Sequence, residues 1–317
     1  MMPTKKKFSI RGFTLLELSI TMVITGIIAV GYLSYKQFNL DNTARTETLR
    51  RIKVIEDTIL LNLAQNGNLP CPANPSEVIG STLYGVVNMN FADPLICNPN
   101  SGNDLGSMNL GGDTLYYGTI PTNSIGIPSE YMIDGWGNRF GYVVQKTFIN
   151  SQTSSSACIN TAGDFAQDNH SNAAYFCFKG QASGSANPST PDIQILNRAG
   201  GSVISNDAVY VIISYGPNGY GAYLRNSDRN SGSGTEGSNV NRNPMPPAAN
   251  DDEQLNLGCN PTTNSCSKTF YSPQFVSRSP SSDFDDIVVY KDRNLMVREC
   301  NAYFNNACTI KHGIYIK

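Results

Sequence analysis

The sequence predicts an α+β protein in which one long amino-terminal helix precedes a β-rich region stapled by disulfides. Three observations carry this. An apolar span over residues 13–35 runs directly into a stretch with helical periodicity. Beyond it come short runs rich in β-branched and aromatic residues, separated by polar loops. All eight cysteines fall in that second region.

The leader, residues 1–12, reads MMPTKKKFSIRG and holds Lys5, Lys6, Lys7 and Arg11 with no acid. Such a basic flank predicts that this end stays cytoplasmic and that everything after Tyr35 is exported. The 23 residues from Phe13 to Tyr35 would span roughly 35 Å as a helix, enough to cross a hydrocarbon core of about 30 Å. A helix is required, because a lone segment in lipid must satisfy every backbone group within itself. No A-x-A-like site follows Tyr35 and no cysteine precedes Cys71, so neither an ordinary secretory signal nor a lipoprotein signal fits. A plain signal anchor leaves Glu17 unexplained. A carboxylate inside an apolar membrane helix is costly and normally marks a partner.

Gly12 followed by Phe13-Thr-Leu-Leu-Glu17 resembles the processing site of type IV pilins and type II secretion pseudopilins. The resemblance covers about the first 65 residues. It implies cleavage by a membrane prepilin peptidase between Gly12 and Phe13, methylation of the new amino terminus, and a retained helix that becomes a filament core. Glu17 then stands fifth in the processed chain. The resemblance also implies that its carboxylate pairs with the Phe13 ammonium of a neighbouring subunit, which removes much of the cost of burying either charge alone. The alternative is a carboxylate that reaches to the headgroups from one end of the helix.

After the span, Leu49, Ile52, Ile55, Ile59 and Leu63 recur at three- and four-residue spacing among charged residues, which predicts an amphipathic continuation over residues 36–66. Helix from Phe13 to about Gln65 would run roughly 80 Å. Asn66-Gly67 with Pro70 and Pro72 supplies the stop. Gly26 and Gly31 read as sites of close helix approach or of local loosening. The head, residues 67–317, is long enough for one large core. Its expected strands cover residues 114–120, 140–148, 173–179, 208–215 and 286–290, then 295–298 and 313–316, with Asp292-Arg293-Asn294 as a hairpin turn. Insertions are expected near residues 151–191 and 226–282, where Ser, Gly, Asn and Pro dominate. The fold class is therefore a pilin-like α+β arrangement, a long helix packed on an antiparallel sheet with disulfide-stapled loops.

Cys71, Cys97, Cys158, Cys177, Cys259, Cys266, Cys300 and Cys308 form an even set on the exported side, which reads as a disulfide framework. Sequential pairing, Cys71–Cys97, Cys158–Cys177, Cys259–Cys266 and Cys300–Cys308, is the expectation among roughly a hundred possible pairings. Zinc is disfavoured, since no CxxC pair occurs and only His170 and His312 are available. Catalysis finds no support in a GxSxG, HExxH or phosphate-loop motif. Asp285-Asp286 are adjacent, and adjacent residues of one strand point to opposite faces, which makes them a poor acid/base pair.

Two further stretches carry the resemblance into the head. DGWGNRFGYVV, from Asp134, resembles the DPWGNPY turn of the major pseudopilin, with Gly135 for its proline and Arg139-Phe140 for Pro-Tyr. SYGPNGYG, from Ser214, is similar to that family's SYGADG-like loop, and Phe284-Asp285-Asp286-Ile287 to its later acidic segment. In that family the region binds calcium, which implies Asn218, Asp285 and Asp286 as ligands. Asn218 stands where an aspartate is usual, and ordinary turn and strand-end acids explain the same residues more often than a calcium site does. Trp136 in its turn reads as a core anchor.

The chain has 23 basic and 25 acidic residues, and without the leader's four basic residues 19 face 25, a formal net charge of −6. No basic stripe marks a nucleic-acid surface. The sequence thus points to a structural subunit of a type IV pilus or type II secretion filament and not to an enzyme. Its expected partners are a prepilin peptidase, other pilin or pseudopilin subunits and the bacterial inner membrane, with no cofactor beyond candidate calcium. Its expected locations are that membrane, with the head periplasmic, and then the filament. The rivals are a minor tip pilin acting as an adhesin, and an anchored periplasmic enzyme or binding protein.

Overall fold

The predicted long helix is a single element, α1, Leu15–Asn66, within one residue of the expected end. The computed structural model describes residues 14–66, 69–87, 89–90, 93–97, 106–109, 114–145, 149, 165–167, 174–176, 193–225, 246, 251–258, 272–281, 283–292, 295–296, 298–299 and 302. The chain divides into two units, residues 1–44 and 45–317.

In the first unit every described residue from Thr14 to Leu40 is exposed, including Leu15, Leu16, Met22, Ile27 and Leu33. Gly26 and Gly31 have no atom within 4 Å of an added Cβ, so neither marks a close approach within this chain.

The second unit opens with the amphipathic part of α1. Ile52, Ile55, Ile59 and Leu63 are buried as their spacing predicts, and Leu60 joins them. Burying each contributes roughly 1.5–3 kcal/mol. Leu49 departs from the prediction and is 45% exposed. The turn around it is held by polar contacts instead: Thr48 Oγ1 accepts from Gly135 N–H at 2.9 Å, and Arg51 donates to the carbonyls of Ile133 at 2.7 Å and Glu130 at 3.0 Å. Glu47 aims that guanidinium, accepting from Arg51 Nε at 2.7 Å.

The strands are β1 Met89–Asn90, β2 Asp93–Cys97, β3 Gly106–Asn109, β4 Thr114–Gly118, β5 Gly141–Gln145, β6 Phe165–Gln167, β7 Ala174–Phe176, β8 Ile193–Leu196, β9 Val203–Ser214, β10 Gln274–Val276 and β11 Ile287–Asp292. Two short helices, α2 Thr122–Ile125 and α3 Asp251–Asn256, and a 3-10 turn, Ser129–Met132, accompany the strands. The main sheet runs β10-β8-β9-β5-β4-β3, with β11 on β9. β8 and β5 share one side of β9, beside its first and second halves, while β11 lies along the other. The sheet is mixed, not purely antiparallel as expected, because β10 pairs β8 in parallel.

Alternation along β9 explains its nearly continuous apolar run. Tyr210 and Ile212 join the core under α1 with Tyr142, Val144 and Ile287, whereas Val211 and Ile213 join a second core with Leu115, Val143, Ile195 and Phe275. Both faces are covered, so both parities are apolar.

The expected strands at 114–120, 140–148, 173–179, 208–215 and 286–290 all hold strands, with shifted ends. Leu295 and Met296 are helical, not a strand, while Arg293 and Asn294 of the expected hairpin turn lie outside the described residues. Leu, Met, Arg and Glu there are good helix formers. α3 and β10 lie within the stretch 226–282 expected to be an insertion, and β10 is a strand of the main sheet. Residues 313–316 lie outside the described residues. Cys71–Cys97 is a disulfide with a Cα separation of 5.7 Å, as the sequential pairing expects. The other six cysteines, His170 and His312 lie outside the described residues.

Candidate functional site

At the start of α1 the Thr14-Leu-Leu-Glu17 tetrad forms a capping box. Thr14 N–H donates to Glu17 Oε2 at 2.9 Å, Thr14 Oγ1–H donates to the same oxygen at 3.0 Å, and Glu17 N–H donates to Thr14 Oγ1 at 3.2 Å. Two backbone donors that a helix start leaves without intrahelical partners are thereby satisfied. Sequence reasoning assigned Glu17 to assembly and missed Thr14, although T-x-x-E before an apolar run is the signature of this box. The hydroxyls that follow turn inward along the same helix. Ser19 donates to Leu16 O at 2.8 Å, Thr21 to Glu17 O at 2.9 Å and Thr25 to Thr21 O at 2.6 Å. No polar side chain among them needs water, so the span stays compatible with a bilayer. Gly12 and Phe13 lie outside the described residues.

In the head the turn from Asp134 is built around its carboxylate. Oδ1 accepts from Trp136 N–H at 3.0 Å and Asn138 N–H at 2.9 Å, and Oδ2 from Ser214 Oγ at 2.7 Å. Burial pushes this carboxyl up to about 6 despite those donors. Arg139, where the resembling turn has proline, is 1% exposed. It donates to Pro75 O at 2.7 Å, Glu77 O at 2.6 Å and Arg225 O at 3.1 Å, tying two loops to the turn. Trp136 is partly buried against the core under α1, in keeping with an anchor.

Asp285 and Asp286 lie just before β11, not within it, so strand alternation does not separate them. One oxygen from each, with one from Glu253 of α3, lie within 4.8 Å of one another, which corrects the expectation that the two acids diverge. Asn218 joins the group: its N–H donates to Asp285 Oδ2 at 3.2 Å and its amide to Glu253 Oε1 at 3.1 Å. Glu253 Oε1 also accepts from Asp285 N–H at 3.2 Å. Gly216, at φ +60°, lets Asp285 approach, since a Cβ there would sit 2.5 Å from its Oδ1. Burial, reinforced by Glu253, Asp285 and Asp252, raises Asp286 well above the usual carboxylate range, against a hydrogen bond from Asn256.

A family model described as the prokaryotic N-terminal methylation motif matches residues 7–33, the segment that holds Gly12, Phe13 and Glu17 and opens the exposed apolar half of α1. The chain is type IV pilin-like. Its motif is that of pilin- and pseudopilin-like substrates of prepilin peptidase, which are structural subunits and not enzymes. No curated protein and no solved structure matches this pilin-like chain.

Of the residues expected to hold calcium in the pilin-like head, Asp285 and Asp286 do converge, Asn218 reaches the group through its N–H donors while its Oδ1 accepts from Tyr220 N–H at 2.8 Å, and Glu253 is the member that sequence reasoning missed. Nothing local announces Glu253, since it is 32 residues from Asp285 and reaches the group only through the placement of α3. The donor chemistry suits a hard cation that takes about six to eight oxygens: three carboxylates at mutual reach, with Glu253 and Asp286 buried.

Proposed function

We propose that this chain is a structural subunit of a type IV pilus or type II secretion filament, cleaved after Gly12 by a prepilin peptidase and methylated at Phe13. α1 holds the subunit in the inner membrane, with the leader cytoplasmic and the head periplasmic, until the helix is drawn into a filament of pilin or pseudopilin subunits. The observation that carries this reading is the methylation motif at residues 7–33 placed on a helix whose apolar half is exposed throughout. That face needs lipid or neighbouring helices, and the processed amino terminus supplies the charge that Glu17 lacks within its own apolar surroundings. Co-expression with a prepilin peptidase tests it by intact mass. The expected product is shorter by the 12 residues of the leader and methylated at Phe13, and Gly12→Ala lowers its yield. A chain that still begins at Met1 or Met2 in peptidase-competent cells overturns the reading.

A second reading is favoured by the meeting of Glu253, Asp285 and Asp286: these three carboxylates hold calcium in the head, with Asn218 donating to Glu253 beside them. When bound, the ion offsets their mutual repulsion and fixes α3 against the turn before β11. Calcium then raises the melting temperature above that of the chelated protein, and Glu253→Gln removes most of the difference. Equal melting temperatures with calcium and chelator discard it.

A further inference from the structure

The parity of β10 is fixed by its neighbour. Gln194 N–H donates to Pro273 O at 2.9 Å and Ser277 N–H to Leu196 O at 2.9 Å, so the backbone groups of residues 273, 275 and 277 face β8. Those of Gln274 and Val276 then point away from β8, the strand β10 being the edge of the sheet among the described residues. At Val276 that edge is occupied by a side chain: Val276 N–H donates to Asn256 Oδ1 at 2.7 Å, and Asn256 Nδ2 donates to Val276 O at 3.2 Å. A primary amide offers one acceptor and one donor side by side, as a neighbouring strand does. Asn256 is fully buried, and its second amide hydrogen is taken by Asp286 Oδ2 at 2.8 Å. The helix that carries it is anchored separately, through Asp252 to Arg278 Nε at 2.7 Å and to Ala199 N–H at 2.6 Å.

We propose that α3 is a guard on the β10 edge, with Asn256 standing in for a partner strand at Val276, and that removing the guard lets this edge pair with the same edge of a second copy of the chain. The strand residues Gln274, Phe275 and Val276 carry no charge, so β10 lacks the charged side chains by which exposed edges usually repel one another. An identical edge on a second copy presents complementary groups about a two-fold axis, which makes pairing of like edges self-complementary. The guard acts whether or not the chain enters a filament.

The test uses the full chain in detergent micelles, with wild type and variants compared side by side. Asn256→Ala leaves the Asp252 anchors in place and leaves the backbone N–H and C=O of Val276 without their side-chain partner. It is expected to lower the concentration at which dimers form by about tenfold, for roughly two hydrogen bonds made across the new pair. Adding Gln274→Lys, which charges the edge without touching the core, is expected to return the dimer fraction to that of wild type. In wild type the Val276 amide is expected to exchange with solvent slowly although it lies on a sheet edge. An Asn256→Ala protein that stays folded with an unchanged dimer fraction overturns the proposal, as does a double variant that dimerises as readily as the single one. Should Asn256→Ala fail to fold, the wild-type exchange decides: a Val276 amide exchanging as fast as those of exposed loops overturns it, and a protected one sustains it.

Discussion

The carboxylate of Glu17 accepts two hydrogen bonds from Thr14 through a single oxygen, Oε2. The other oxygen makes neither of these bonds, so the capping role and a pairing role with a neighbour's Phe13 ammonium are compatible. Glu17→Gln separates them. Glutamine also serves the third helical position of a capping box, so the helix start survives while the charge is lost. Membrane insertion and cleavage after Gly12 should be unchanged, and the processed subunit recovered in sheared filaments should fall sharply at equal membrane abundance. Equal recovery would remove the assembly role and leave Glu17 as a helix cap. Thr14→Val, which keeps the charge and removes the hydroxyl, should cost much less filament.

Asp134 gives a prediction in pH. Its carboxyl stands at about 6 in the folded head against an ordinary 3.8, chiefly through burial. Between those values the folded chain holds a proton that the unfolded chain has lost. The stabilisation is therefore full below about pH 4 and disappears as pH rises through 6, a span worth roughly 3 kcal/mol at about 1.4 kcal/mol per unit. Asp134→Asn cannot titrate, and its amide can donate to Ser214 Oγ in place of accepting. The unfolding free energy of wild type minus that of Asp134→Asn should fall between about pH 4 and pH 7 in urea titrations. A difference independent of pH would show that Asp134 keeps an ordinary carboxylate.

What the sequence made legible follows the strength of local periodicity. Ile52, Ile55, Ile59 and Leu63 announce a buried helix face, and residues 208–214 of β9 announce a strand by β-branched content alone. The first part of β9 was hidden because Ser205, Asn206 and Asp207 interrupt the apolar run, and that part is ordered by its pairing with β8. The DDEQLN sequence of α3 has one large apolar residue, Leu255, and no periodicity to read. Its position comes from Asp252 meeting Arg278 and Asn256 meeting Val276, contacts between side chains and segments far along the chain. Glu253 was invisible for the same reason, so the acidic group could be anticipated only in part, through the resemblance at Asn218 and Asp285-Asp286. The role of Thr14 was legible, because T-x-x-E before an apolar run is a purely local signature of a capping box.

The Cys71–Cys97 bridge closes a loop with a sequence separation of 26. Constraining such a loop in the unfolded chain is worth about 3.5 kcal/mol. Replacing both cysteines by alanine should lower the unfolding free energy by about 2–4 kcal/mol. In the oxidised wild type, alkylation under denaturing conditions should label neither Cys71 nor Cys97 until a reductant is added. Labelling of both in most molecules would show that the bridge does not form.

Arg139 is the sharpest departure from the turn that this segment resembles, and its contacts say what the departure achieves. The guanidinium reaches the carbonyls of Pro75, Glu77 and Arg225 and lies over the Tyr84 ring, 5.0 Å from its centroid. Burial pulls its pKa down, but an arginine stays charged throughout the working range, so the charge is held by the carbonyl dipoles. Lysine keeps the charge and loses the planar fork that serves several acceptors at once. Arg139→Lys should therefore destabilise the head by about 2–4 kcal/mol, from carbonyls left without charge-assisted donors. It should also speed proteolytic cutting within residues 74–87, the loop that Pro75 and Glu77 anchor. Arg139→Ala, which abandons the charge as well, should cost more. A lysine variant with wild-type stability and wild-type cutting would mean that the loop holds its place through its own turns, and that Arg139 fills space beneath Tyr84 without fastening anything.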